Sequence, residues 1–160
     1  MANSMYRLIS KHDSVKVMEN LTTGQKSLYA SNSFNSGDII SAFNSRKTLK
    51  EPNYLTVQLD DDVHILLEPE YLQYINHSCQ PNAFFDTKTL KLIALTKIDS
   101  DDELTYCYPS TEWNMQQPFT CMCKKDKCLG RIQGARHLPN EIIPQYRFSD
   151  SIQRKLNEKH

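Results

Sequence analysis

What this 160-residue chain lacks narrows its class before any motif is read. It has no surplus of charge: 19 basic and 19 acidic side chains leave a formal net charge of zero. A dedicated nucleic-acid binder, whose affinity rests on neutralising phosphates, is not expected from that balance. No apolar run approaches the roughly 18 residues a membrane span needs. The opening stretch, MANSMYRLISKHDSVKVMEN, is polar and charged where a secretion signal needs its apolar block. An even set of cysteines is also missing. Three of the five fall within eight positions, which suits metal ligation in a reducing compartment better than a disulfide framework. The expectation is a soluble, intracellular protein with one core and a small appendage.

Helix signals are scarce, and the chain reads as mainly β. RLISKHDSVKVME breaks at Lys11 to Asp13 as a hairpin does, and NSGDIISAF turns at Gly37 into a strand. LTVQLDDDVHILL is the clearest hairpin, two apolar or β-branched runs around Asp60, Asp61 and Asp62. AFFDTKTLKLIALTKI repeats that pattern near Asp86 to Lys88, and DSDDELTYCY runs from an acidic turn into a strand. PEYLQYI predicts a short helix from Pro69. SDSIQRKLNEKH predicts a C-terminal helix capped by Ser149. Composition changes after Pro118, where the cysteines cluster. The divisions expected are therefore 5–117, 118–138 and 139–160.

CMCKKDKCLG supplies three sulfurs, Cys121, Cys123 and Cys128, where a structural zinc wants four ligands. Cys79 in YINHSCQPN, Cys107, His77 and His137 are the candidates for the fourth. The acidic stretches LDDDV and DSDDE read as solvated turns or as a rim that steers a basic partner. His64 reads as an ordinary strand residue.

NHSCQPN, DELTYCY and FTCMCKKDKCLGRIQG occur in the order and spacing of a SET domain followed by its post-SET zinc segment. The resemblance covers roughly Val15 to Leu138, and YPSTEW followed by QPF is similar to the compact, stand-alone members. It implies several small β-sheets around a knot-like crossing, with a zinc-bound post-SET lobe and here a short C-terminal helix. It also implies a protein-lysine N-methyltransferase using S-adenosylmethionine. The substrate would be a protein with an exposed lysine, a histone or another basic protein among the possibilities.

Carried over residue by residue, the resemblance makes Tyr108 the catalytic tyrosine and Tyr106 the aromatic that limits how many methyl groups are added. A tyrosine there implies mono- or dimethylation. Asn76 and His77 would contact the cofactor, the first by its side chain and the second through its backbone, with Tyr74 and Phe119 beside them. Gly24, Lys26, Ser27 and Leu28 fall where the family's Gly-x-Gly turn approaches the cofactor. Cys79 would join Cys121, Cys123 and Cys128 around a structural zinc. Tyr106, Phe84, Phe85 and Trp113 are candidate walls of the lysine channel. The chain departs from the pattern in three places: TGQKSLYA replaces the Gly-x-Gly turn, Gln73 replaces an arginine, and Cys107 replaces an aspartate. The competing reading is a non-catalytic module of the same fold that binds a peptide or partner.

Overall fold

The computed structural model describes residues 5–159. Strands β1 (Tyr6–Lys11), β2 (Val15–Asn20) and β3 (Lys26–Ala30) form an antiparallel sheet in that order. In β2, Val15 and Val17 are buried while their neighbours are not, the period-two signature of a half-buried strand. Then follow β4 (Ile39–Ala42), β5 (Asn44–Leu49), β6 (Val57–Asp60) and β7 (Val63–Glu68), of which the last three make a sheet ordered β5-β7-β6. A 3-10 turn, Glu70–Tyr74, leads into β8 (Asn76–His77). Strands β9 (Ala83–Asp86) and β10 (Lys91–Ala94) complete a third sheet, β4-β10-β9.

Next, β11 (Thr105–Tyr106) pairs in parallel with β8, setting Thr105 beside Asn76 and Tyr106 beside His77. That single pairing brings the NHSC and ELTYCY stretches together. Finally β12 (Phe119–Thr120) and β13 (Arg131–Ile132) frame the cysteine-bearing loop, and α1 (Asp150–Glu158) ends the fold. Leu28, Leu72, Phe85, Leu92, Ile98 and Leu104 are fully buried in one core that all the larger sheets share. Each such side chain stabilises by about 1.5–3 kcal/mol relative to exposure.

The expected hairpins are present, as is the helix capped by Ser149, whose hydroxyl accepts the Ile152 N–H. β3 and β5 were not anticipated. Pro69 does not open an α-helix; it precedes the 3-10 turn in extended backbone, φ −66° and ψ 145°. The acidic stretches are turns. Asp60 and Asp61 meet Arg154 at 3.1 Å and Lys155 at 2.5 Å on α1, Asp101 pairs with Lys16, and Asp102 accepts the Asp99 N–H.

α1 buries Ile152 and Leu156 against Ala135, Leu138 and Phe148, a second small core. Gly134 carries φ +112°, and a Cβ there would lie 2.5 Å from the Trp113 carbonyl oxygen. Only glycine lets the post-cysteine segment lie that close to the YPSTEW loop.

Candidate active site and metal centre

The sulfurs of Cys79, Cys121, Cys123 and Cys128 all lie within 4.8 Å of one another. Tetrahedral coordination at about 2.3 Å per bond requires sulfurs about 3.8 Å apart, and Cys79 and Cys121 stand at 3.7 Å. The donor set fits a metal that favours four thiolates. Leu129 N–H donates to the Cys79 sulfur at 3.2 Å and Cys123 N–H to that of Cys121 at 3.3 Å, so backbone dipoles already face the sulfurs. Burial, reinforced by the neighbouring cysteines, pushes the Cys79 and Cys121 thiols up; a bound dication reverses that logic. Of the other candidates, Cys107 is buried on its own, its thiol pushed up to about 12 by burial. His137 pairs with Asn114 instead.

His77 touches the cluster from outside. Its Nδ1 accepts the Tyr108 N–H at 3.0 Å, so the ring proton sits on Nε2, which faces the Cys79 sulfur at 3.3 Å. Burial pushes the imidazole down to about 4, keeping it neutral. One ring thus joins the sulfur cluster to the backbone of Tyr108.

Alongside runs an open cleft of about 1030 Å³, lined among others by Gln25, Asn76, His77, Glu103, Tyr108 and Phe119. Asn76 donates through Nδ2 to Ser27 Oγ at 2.9 Å and to Glu103 Oε2 at 3.1 Å. Its Oδ1 takes only a 3.4 Å contact from Gln25. Both donors are committed and the carbonyl is the group left to read a ligand. Of the other residues expected here, Gly24, Lys26, Ser27, Leu28 and Tyr74 do not line the cleft. Ser27 acts through Asn76, Leu28 is fully buried in the core, and Lys26 lies over the Tyr74 ring at 5.3 Å.

A chamber of about 80 Å³ opens beside the cleft, walled by Tyr54, Thr56, Tyr106, Tyr108, Glu112, Met115 and Phe119. Tyr54, Tyr108 and Phe119 line both spaces, so Tyr108 stands where they meet. Its hydroxyl donates to the Ile75 carbonyl at 3.1 Å. Burial, reinforced by Glu112 and Glu103, raises its pKa above the ordinary phenol range. It remains a hydroxyl donor rather than a phenolate.

Tyr106 is buried, 4.8 Å from the Tyr108 ring and edge-on to Phe85 at 4.8 Å. Of the expected walls, Tyr106 lines this chamber and the other three do not. Phe85 lies behind Tyr106 in the core, Phe84 stacks under Arg147 at 4.5 Å, and Trp113 packs with the C-terminal cluster. Tyr54, Met115 and Phe119 line the chamber with Tyr106.

Sequence reasoning missed Glu103, Asn82, Tyr54 and Glu112. Asn82 holds β11 in place by accepting from Thr105 N–H and donating to the Glu103 carbonyl, both at 2.9 Å. The apolar–polar alternation of DELTY could have flagged Glu103. Nothing local distinguishes Tyr54 or Glu112, whose roles come from long-range packing.

A family model described as the SET domain matches residues 7–109. Methyltransferase flvH of Aspergillus flavus is 33% identical over 125 residues, covering 77% of this chain and 70% of that protein. The histone-lysine N-methyltransferase of Aspergillus oryzae described as H3 lysine-4 specific is 35% identical over 65 residues, 36% of this chain and 5% of its own length. Among solved structures, KRYPTONITE in complex with mCHH DNA, an H3(1-15) peptide and SAH superposes with a TM-score of 0.56 at 19% identity, over 77% of this chain and 30% of that one. That likeness is one of fold. Among the described residues, no helix is long and apolar enough to cross a membrane. With strands β2 to β11 and the parallel β8–β11 pairing inside the matched residues, the chain belongs to the SET-domain family.

Proposed function

We propose that this chain is a protein-lysine N-methyltransferase that uses S-adenosylmethionine and stops mainly at mono- or dimethyl-lysine. The observation that carries the reading is Tyr108 at the junction of a cleft of about 1030 Å³ and a chamber of about 80 Å³. The cleft lies in the size range of small-molecule sites, and it presents the Asn76 carbonyl beside the Glu103 carboxyl, a pair suited to an ammonium-bearing ligand.

Asn76, His77 and Phe119 would hold the cofactor, which when bound supplies an electrophilic methyl group on a sulfonium. The protein's own part is to bind, orient and dry the amine. A free lysine has pKa near 10.4, so neutralising it at pH 7 costs about 4–5 kcal/mol. Aromatic walls that exclude water lower that cost by disfavouring the charged form. The Tyr108 hydroxyl, held by Ile75, helps aim the nitrogen lone pair.

A zinc in the four-cysteine cluster would be structural, with no open position for chemistry. Its role is to pin the loop that carries Phe119 and Met122 beside the cleft. Tyr54 and Met122, 72% and 77% exposed, flank the mouth where a substrate chain would lie. H3 lysine-4 is what the A. oryzae relative is named for; a histone or other basic tail is proposed here as the substrate class.

Calorimetry of S-adenosylmethionine with the zinc-loaded protein tests this reading. Wild type is expected to bind, and Asn76→Ala to bind more weakly by about 1–3 kcal/mol, the cost of leaving buried polar groups unpaired. A wild-type protein that binds no cofactor would leave the partner-binding module in its place.

A further inference from the structure

Glu112 is the only acidic side chain among the described residues that is buried, at 7% exposure, and nothing in the mechanism above uses it. It closes the turn that Tyr108 opens: its own N–H donates to the Tyr108 carbonyl at 3.0 Å. Its side chain reaches the chamber that Tyr106 and Tyr108 also line. Both of its hydrogen bonds fall on one oxygen. Oε2 accepts from the Gln58 N–H at 3.0 Å and from the Thr111 hydroxyl at 2.7 Å, while Oε1 has no hydrogen-bond partner among the described residues. A glutamine could satisfy the same two donors without burying an ionisable group. The carboxyl therefore needs a further reason to be there.

The chamber supplies one. It holds no more than a few water-sized groups, so an amine between the two tyrosines lies against Glu112 as well. Both phenols are kept protonated by burial and cannot take a proton from it. We infer that Glu112 is the proton acceptor of the chamber: Oε1 takes a proton from the incoming lysine ammonium, whose N–H bond breaks and leaves its electron pair on nitrogen. The O–H bond so formed is released to water when the chamber empties. This inference rests on the lysine reading above, because another substrate would bring no such proton.

The electrostatics agree. Burial pushes the Glu112 carboxyl up to about 7, against the bonds from Thr111 and Gln58, which places it where an acceptor works best near neutral pH. The titratable groups that share its chamber are the phenols of Tyr54, Tyr106 and Tyr108. On β6, Asp60 turns to Arg154 instead. Arg136 and His137, beside the Ala135 that donates to the Glu112 carbonyl, are exposed.

The test uses n-butylamine as a lysine side-chain probe on zinc-loaded protein saturated with S-adenosylhomocysteine. Calorimetry in buffers of different ionisation enthalpy counts the protons released on binding. Wild type should release about one proton per amine at pH 5.5, where Glu112 is already protonated, and about none at pH 8.5, where it takes the proton itself. Glu112→Gln should bind at least tenfold more weakly at pH 8.5 and show the same proton count at both pH values. Glu112→Asp should keep the pH-dependent count, and unchanged zinc content and cofactor binding would exclude a folding defect in either variant. A wild-type count that does not change with pH would overturn the inference, a result that needs no variant at all. So would cofactor binding without any butylamine binding, and the methyl-transfer reading would survive it. Failure to bind S-adenosylhomocysteine would instead bring down the reading on which the inference stands.

Discussion

Tyr106 and Tyr108 face each other across 4.8 Å, yet their hydroxyls have different work. The Tyr108 hydroxyl is tied to Ile75, whereas the Tyr106 hydroxyl lies beside the Thr111 side chain, and Tyr106 lines the chamber, where it can hold a water. Removing that hydroxyl gives up the water and opens apolar space. Displacing one bound water is worth at most about 2 kcal/mol, so a shift in product ratio is expected rather than a switch. Mass spectrometry of a methylated peptide should show Tyr106→Phe moving product toward higher methylation and Tyr108→Phe losing most turnover. Efficient trimethylation by wild type would move the limit to Tyr54 or Met115. Glu112 allows a second expectation at this scale, read from stability alone. Its folded pKa of about 7 exceeds the ordinary 4.5, so its contribution is fully present below the lower value and is lost as pH rises through the higher. Between pH 5 and pH 8 the wild type should therefore lose up to about 3 kcal/mol relative to Glu112→Gln. Parallel denaturation curves for the two proteins at both pH values would contradict that.

At the scale of elements, α1 shows how little holds a terminal helix and how local its signals are. Ser149 caps its first turn, Asp150 and Lys155 suit its dipole, and Ile152 and Leu156 bury its inner face. Ser149→Ala should cost about 1 kcal/mol, or about 2–4 °C in melting temperature for a chain of this size. The loss of hydrogen-exchange protection should be confined to α1; protection lost across β6 and β7 as well would mean that the helix and sheet open together. The cap, the acidic turns and the period-two pattern of β2 were all readable because each is written in neighbouring residues. β5 was not, since Asn44 to Lys47 are polar and exposed, and its strand state comes from pairing with β7. β8 and β11 are two residues each, too short for any pattern to accumulate. The placement of Asn76 beside Thr105 was reachable only through the family resemblance. The same holds for the chamber: Tyr108 carried a motif, whereas Tyr54 and Glu112 were assigned to it by packing.

For the molecule as a whole, the cysteine cluster acts as a joint rather than an appendage. Cys79 belongs to the core segment, while Cys121, Cys123 and Cys128 belong to the loop between β12 and β13. The C-terminal extension reaches the same point, because the Tyr146 hydroxyl donates to the Cys79 carbonyl at 2.6 Å. His77 carries the connection inward, from the Cys79 sulfur to the Tyr108 N–H. A metal held there couples its binding energy to the order of the loop, and groups behind the ligands fix their orientation. One zinc per chain is expected, with Cys79→Ser lowering both stoichiometry and affinity. Chelation should expose the segment after Phe119 to proteolysis first while the main core, which has its own buried cluster, survives. S-adenosylmethionine affinity should fall with it, since Phe119 and Met122 line the cleft. The order of events is the decisive observation. If protease cut the β1–β3 region as early as the loop, the metal would be holding the whole fold. If the loop stayed protected after the metal had gone, the Leu129 N–H bond to the Cys79 sulfur and the packing of Phe119, Leu129 and Ile132 would be sufficient to hold the lobe, and the metal would be dispensable for its order.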